Sequence, residues 1–172
     1  MRMKAHLPPD YQPYKGKINL LNLPSYPAQI EDIDGKLYIF DDIRGKMVHL
    51  TPEEWVRQHF VHYLIDCLGY PRMSINSERQ LMDMPRASRT DTVVFGRGGE
   101  PWVLIEYKAP SLILTKEMWQ QLSNYNLVYR SPYLVLTNGL KHIVCKIDYQ
   151  EKRYQFLSEL PSYKQLCEEQ RE

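Results

Sequence analysis

Long apolar runs are missing from this sequence, and none approaches the roughly 20 residues needed to cross a bilayer. The opening "MRMKAHLPPD" carries charge, but no apolar stretch follows it, so a signal peptide is not expected. Cysteine is scarce: three residues, Cys67, Cys145 and Cys167, odd in number and without metal-ligand spacing. That excludes a disulfide framework or a zinc finger and points to reduced thiols in a cytoplasmic protein. Charge of one sign is also lacking. Lys and Arg total 22 against 21 Asp and Glu, for a net +1, so no global field attracts nucleic acid and any such attraction must be local. No G-x-x-x-x-G-K-[ST] loop is present: the Gly-Lys pairs at 16–17, 35–36 and 45–46 lack both the upstream glycine and the following Ser or Thr. The chain therefore brings no motor of its own, and no sequence-reading module is recognisable.

What is present suits one globular domain. The 172 residues, 43% hydrophobic and 25% charged, are enough for a proper core. Residues 1–28 are proline-rich, without periodicity, and read as an irregular arm packed on a single domain, 29–172. Short strands follow around the Asp34-Gly35 and Arg44-Gly45 turns. Thr51 as N-cap, Pro52 at the first helical position and Glu54 three residues on start a helix. Its apolar face, Val56, Phe60, Val61, Leu64, Ile65 and Leu68, runs up to Gly69. A short strand near 73–76, a hairpin over 91–108, a helix from Lys116 to Val128 capped by Thr115, and a hairpin turning at Asn138-Gly139 come next. "RYQFL" adds a strand and the C-terminus a short helix. The fold class expected is mixed α/β (α+β), one mixed sheet with helices against it.

The stretch "RTDTVVFGRGGEPWVLIEYKAP" places acidic residues inside a hairpin. With 96–101 as the loop, Phe95 pairs with Trp102, Val93 with Leu104, and Asp91 falls opposite Glu106, a repulsive cross-strand pair. Three remedies are open. The strand ends can be hydrated, Lys108 can form a salt bridge, or the two carboxylates can share a hard divalent cation with waters, as Mg2+ binds. In the third case the lysine can orient an attacking water and stabilise charge on a phosphate. Arg72, Arg79, Arg86, Arg89 and Arg97 immediately precede and enter this hairpin; Arg86, Arg89 and Arg97 are the candidates for DNA phosphates. "GRGGE" joins two strands and is no phosphate loop. His59 and His62, with no convergent ligand, are expected to be partly exposed surface residues.

Asp91 followed on the next strand by Glu106-Tyr107-Lys108 resembles the D…(D/E)-x-K signature of the PD-(D/E)XK nuclease superfamily, with Thr90 where a proline is usual. "LTPEEWVRQHFVHYLIDCLGYP", "RTDTVVF", "LIEYKAP" and "YLVLTNGLKH", in that order over roughly residues 30 to 150, are similar to the N-terminal nuclease domain of type I restriction enzyme R subunits. The resemblance implies a restriction-endonuclease-like core and a Mg2+-dependent DNA endonuclease, with Mn2+ as a substitute. It implies Asp91, Glu106 and Lys108 as catalytic residues and Asp91 and Glu106 as metal ligands. A helix glutamate completes the metal site, Glu54 rather than Glu53, although Glu54 could equally serve the helix cap. Gln121 and Tyr125 match the Q-x-x-x-Y motif of such domains and share one helical face. DNA is the implied partner, with restriction-modification or other helicase subunits for targeting. A binding module of the same fold and a hydrolase of another phosphate ester remain as alternatives.

Overall fold

Asn138 and Gly139 show how local sequence closes this fold around its core. The computed structural model describes residues 20–77 and 91–169. Among these, nine strands form two sheets. The first is an antiparallel meander of β1 (Ile30–Ile33), β2 (Lys36–Asp41) and β3 (Lys46–His49). The β1–β2 turn has Asp34 and Gly35 both at positive φ, 52° and 78°, the backbone a two-residue hairpin requires. The second sheet has the order β4-β5-β6-β7-β8-β9, from β4 (Ile75–Ser77), β5 (Thr92–Phe95), β6 (Pro101–Tyr107), β7 (Tyr133–Thr137), β8 (His142–Asp148) and β9 (Arg153–Leu157). Only β6 and β7 run parallel, and the connection between them carries a helix, as a parallel crossover must. The expected single mixed sheet is thus a six-stranded mixed sheet plus a separate meander, because the strands of 30–49 pair with one another and not with the rest.

Helix α1 (Pro52–His62) begins as expected, with Thr51 Oγ1 accepting from the Glu54 N–H at 3.0 Å. It widens into a π-helical turn at Tyr63–Cys67 and stops at Gly69, where φ is +71°. Helix α2 (Lys116–Tyr129) is capped by Thr115, and α3 (Tyr163–Glu169) closes the described chain. The helices cover opposite faces of the large sheet. Val103, Ile105 and Tyr107 of β6 join Val56, Phe60 and Leu64 of α1, together with Leu21 and Leu23 of the arm and Ile39 of the meander. Leu104 joins Val93, Leu134, Leu136 and Leu122 of α2 on the other face. This is the period-two alternation of a strand buried on both sides. Continued, it sets Glu106 on the α2 face at the C-terminal end of a central strand.

The Asn138-Gly139 turn ties the arm down. Asn138 Oδ1 accepts from the N–H groups of Leu140 and Lys141 at 3.0 and 2.8 Å, and Gly139 O accepts from Asn22 N at 2.7 Å. Gly139 has φ +80°, and a Cβ there would sit 2.7 Å from Leu21 Cδ2 and 3.0 Å from Val56 Cγ2. Gly139→Ala is therefore expected to lose about 1–3 kcal/mol in urea unfolding, from strain and overpacking together. An unchanged urea midpoint would contradict this packing.

Candidate active site

The open end of the β5–β6 hairpin gathers charge. Observed register pairs Val93 with Leu104 and Thr92 with Ile105, so the next step sets Asp91, just before β5, across from Glu106. The expected Phe95–Trp102 pair is not formed: a bulge after Val94 sets Phe95 opposite Pro101. Asp91 Oδ2 accepts from the Tyr107 N–H at 2.9 Å, and Lys108, its backbone N–H bonded to Thr137 O, donates from Nζ to Glu106 Oε1 at 2.7 Å. Glu106 Oε2 is buried and has no hydrogen-bond partner among the described residues. Burial, then the Asp91 carboxylate, pushes the Glu106 carboxyl up to about 7 against the pull of Lys108. A buried oxygen without a donor, on a carboxyl beside another carboxylate, is a site short of positive charge.

Helix α1 supplies the next layer, and it differs from expectation. Glu54 is neither a reciprocal cap nor an open ligand. Its Oε1 accepts from Arg44 Nη2 at 2.6 Å and Gln58 Nε2 at 2.8 Å, and its Oε2 accepts from Arg57 Nη1 at 3.2 Å. The helix carboxylate beside the pair is its neighbour, half-buried Glu53, whose carboxyl is raised by burial and by Asp91 and lowered by Lys108 and Arg57. Arg57 is almost fully buried, donates from Nη2 to Asp91 Oδ1 at 3.1 Å, and lies 5.6 Å over the Tyr107 ring. Among the described residues, five carboxyl groups (Asp41, Glu53, Glu54, Asp91, Glu106) gather here with Arg44, Arg57 and Lys108. Among the described residues no group of three or more His, Cys, Asp or Glu side chains is placed to hold a metal ion. Mg2+ needs none, since it is held by one or two carboxylates and keeps most of its waters.

The family model for the type I restriction enzyme R protein N terminus matches residues 52–161. The chain belongs to that family. A solved fragment assigned as an HsdR subunit of a type I restriction enzyme from Vibrio vulnificus YJ016 is similar over 69% of this chain, at 22% identity and a TM-score of 0.49. The matched part is 26% of that chain, so this sequence spans about a quarter of its length. No curated protein matches.

Within this R-subunit N-terminal domain the remaining sequence candidates divide. Gln121 and Tyr125 are hydrogen-bonded to each other at 2.7 Å on α2, the helix that covers the face carrying Glu106. Arg97 is exposed at the β5–β6 turn, separated from Asp91 by the whole of β5, about 13 Å at the usual strand rise. Six positions of sequence thus separate the two ends of the hairpin, and Arg97 stands apart from the carboxylates. Arg86 and Arg89 lie outside the described residues. His59 is buried, not partly exposed: Nδ1 sits 3.0 Å from Trp55 O, and burial holds the ring at about 4. His62 is half-buried between Asp42 and Asp66. Among the described residues no helix is long and apolar enough to cross a membrane.

Glu106 generates a pH dependence. Its folded-state pKa, about 7, stands above the ordinary 4.5. The folded chain therefore keeps a proton that the unfolded chain has released, and this contribution to stability falls as pH rises through that window. His59 acts oppositely, its contribution falling as pH drops from 6.5 towards about 4, so the wild-type curve alone is not diagnostic. The difference between wild type and Glu106→Gln isolates the term. Relative to Glu106→Gln, wild type should lose on the order of 3 kcal/mol between pH 4.5 and 7.5 in metal-free buffer. A flat difference would remove the raised carboxyl.

Proposed function

We propose that this domain is a Mg2+-dependent endonuclease that hydrolyses DNA phosphodiester bonds, with the restriction-endonuclease-like arrangement of the PD-(D/E)XK enzymes. The observation that carries the reading is Glu106: one carboxylate oxygen bonded to Lys108, the other buried and without a donor, Asp91 beside it. Asp91 and Glu106 would hold the cation, with Glu53 the α1 carboxylate that would assist them. Mn2+ would serve in the same place. When bound, the ion would supply Lewis-acid stabilisation of charge building on the scissile phosphate.

Lys108 does the rest of the local chemistry. Its Nζ orients the attacking water and donates to a non-bridging phosphate oxygen, in a half-buried setting where a fixed ammonium is worth more than in bulk water. Glu106 keeps that ammonium in place before substrate arrives. The Gln121–Tyr125 pair borders the same face and steadies the substrate or the lysine. Arg86 and Arg89 are the proposed phosphate contacts flanking the site, while Arg97 can touch only DNA that extends along the hairpin. With few such contacts on a nearly neutral chain, duplex binding is expected to be nonspecific, about 10⁻⁴–10⁻⁶ M at physiological salt, so that a restriction-modification or helicase partner delivers the substrate.

A second reading keeps the fold and gives it to binding alone, as a nucleic-acid or protein interaction module. It draws on the lack of a three-ligand cage among the described residues. Nicking of supercoiled plasmid decides between them. Wild type should nick in Mg2+ or Mn2+ and stop in chelator. Lys108→Ala should lose at least about 100-fold in rate, the scale of one lost charge-stabilising donor, while Mn2+ binding by calorimetry stays intact. Full cleavage by Lys108→Ala would sink the mechanism, and no metal-dependent cleavage by wild type would favour the binding module.

A further inference from the structure

Asp91 stands at the end of an ion-pair relay that begins outside the family match. Asp41, the last residue of β2, is buried and turns the chain towards β3: its Oδ1 accepts from the N–H groups of Ile43 and Arg44, each at 2.8 Å. Its Oδ2 holds the guanidinium of Arg44 through Nε, and also accepts from Gln58 Nε2 at 2.9 Å. The other arm of Arg44, Nη2, reaches Glu54 Oε1 at 2.6 Å. Glu54 Oε2 takes Arg57 Nη1 at 3.2 Å, and Arg57 Nη2 takes Asp91 Oδ1 at 3.1 Å. Signs alternate along the whole line, from Asp41 through Arg44, Glu54 and Arg57 to Asp91.

We infer that Arg44, with Asp41, is a positioning residue for Asp91, so that the β2–β3 turn of the N-terminal meander is a working part of the site. This rests on the nuclease reading for its purpose but not for its geometry. The family model matches from residue 52 onward, so that match assigns no role to Asp41 or Arg44. Both arginines use two arms of a planar fork, which fixes angle as well as charge. Arg57 and Glu54 share a helix at i, i+3, so with no competitor on Glu54 Oε1 the guanidinium could take both oxygens. Arg44, with Gln58 beside it, occupies that oxygen, so Arg57 meets Glu54 through Nη1 and Asp91 through Nη2. Asp91 is then held by Arg57 on Oδ1 and by the Tyr107 N–H on Oδ2, its carboxylate plane set relative to Glu106. Burial follows the same line: side-chain exposure is 1% at Asp41, 9% at Glu54, 4% at Arg57 and 20% at Asp91, with Arg44 at 15%. The relay is sheltered throughout and opens at the site.

The test is a double-mutant cycle on the metal-free full chain, with wild type, Arg44→Met, Asp91→Asn and the double variant compared by melting temperature. Arg44→Lys replaces Arg44→Met should the latter not fold. Transmission through Glu54 and Arg57 makes the cycle non-additive, with the Arg44 substitution costing less in the Asp91→Asn background. Mn2+ titration calorimetry, well below each melting temperature, should show about 5- to 10-fold weaker binding in Arg44→Met and partial recovery in Arg44→Lys. A purely structural arginine would give equal melting shifts in both backgrounds and unchanged Mn2+ affinity, and either an additive cycle or unchanged affinity overturns the inference. Failure of wild type to cut DNA overturns the nuclease reading alone, because the cycle reads the relay without metal or substrate.

Discussion

Everything at the open end of the β5–β6 hairpin depends on two carboxylates that repel each other. Asp91 and Glu106 stand across adjacent strands at the border of the core, where water screens them poorly. The protein relieves that repulsion unevenly. Asp91 receives a guanidinium and a backbone N–H, whereas Glu106 receives one ammonium on one oxygen and, among the described residues, no donor on the other. The uneven treatment leaves Glu106 with its carboxyl pushed up to about 7, while Asp91 is tied by two donors. A cation between them would convert the least favourable contact of the hairpin into its anchor.

The fold sets this conflict where it is useful. Strand β6 is buried on both faces through Leu104 and Ile105, then ends in Glu106-Tyr107-Lys108 at the carboxyl end of the parallel β6–β7 pair. Open sheets with parallel strands place their ligands at such ends. Helix α1 brings its N-terminus to the same place, so Glu53 approaches on a helix end that favours negative charge. The other side of that helix, Glu54, Arg57 and Gln58, faces the meander through Arg44 and Asp41.

Local signals in the sequence reached far but not across elements. Thr51-Pro52, Thr115 and Asn138-Gly139 mark caps and a turn whose chemistry is contained within four residues, and each was legible. Pairing Val93 with Leu104 followed from alternation, and with it the approach of Asp91 to Glu106. The bulge that shifts Phe95 to Pro101 left no such mark. The sequence favours Glu54, but Glu54 is taken up by Arg44, ten residues away in the β2–β3 turn, a contact no local signal marks. Arg57 passed unnoticed although Glu54, Arg57 and Gln58 form a polar stripe beside the apolar face of α1, which was the available signal. His59 looked exposed by type, yet Trp55 and Tyr26 close over it. Nearness in sequence misled for Arg97, since a hairpin separates its turn from its open end.

The most direct measurement is the position of Mn2+ anomalous scattering in crystals of the full chain grown or soaked with that ion. The account predicts one peak beside the Asp91 and Glu106 carboxylates, with Glu54 still bound by Arg44 and Arg57. A peak on Glu54, or none at the Asp91–Glu106 pair at saturating Mn2+, would contradict it.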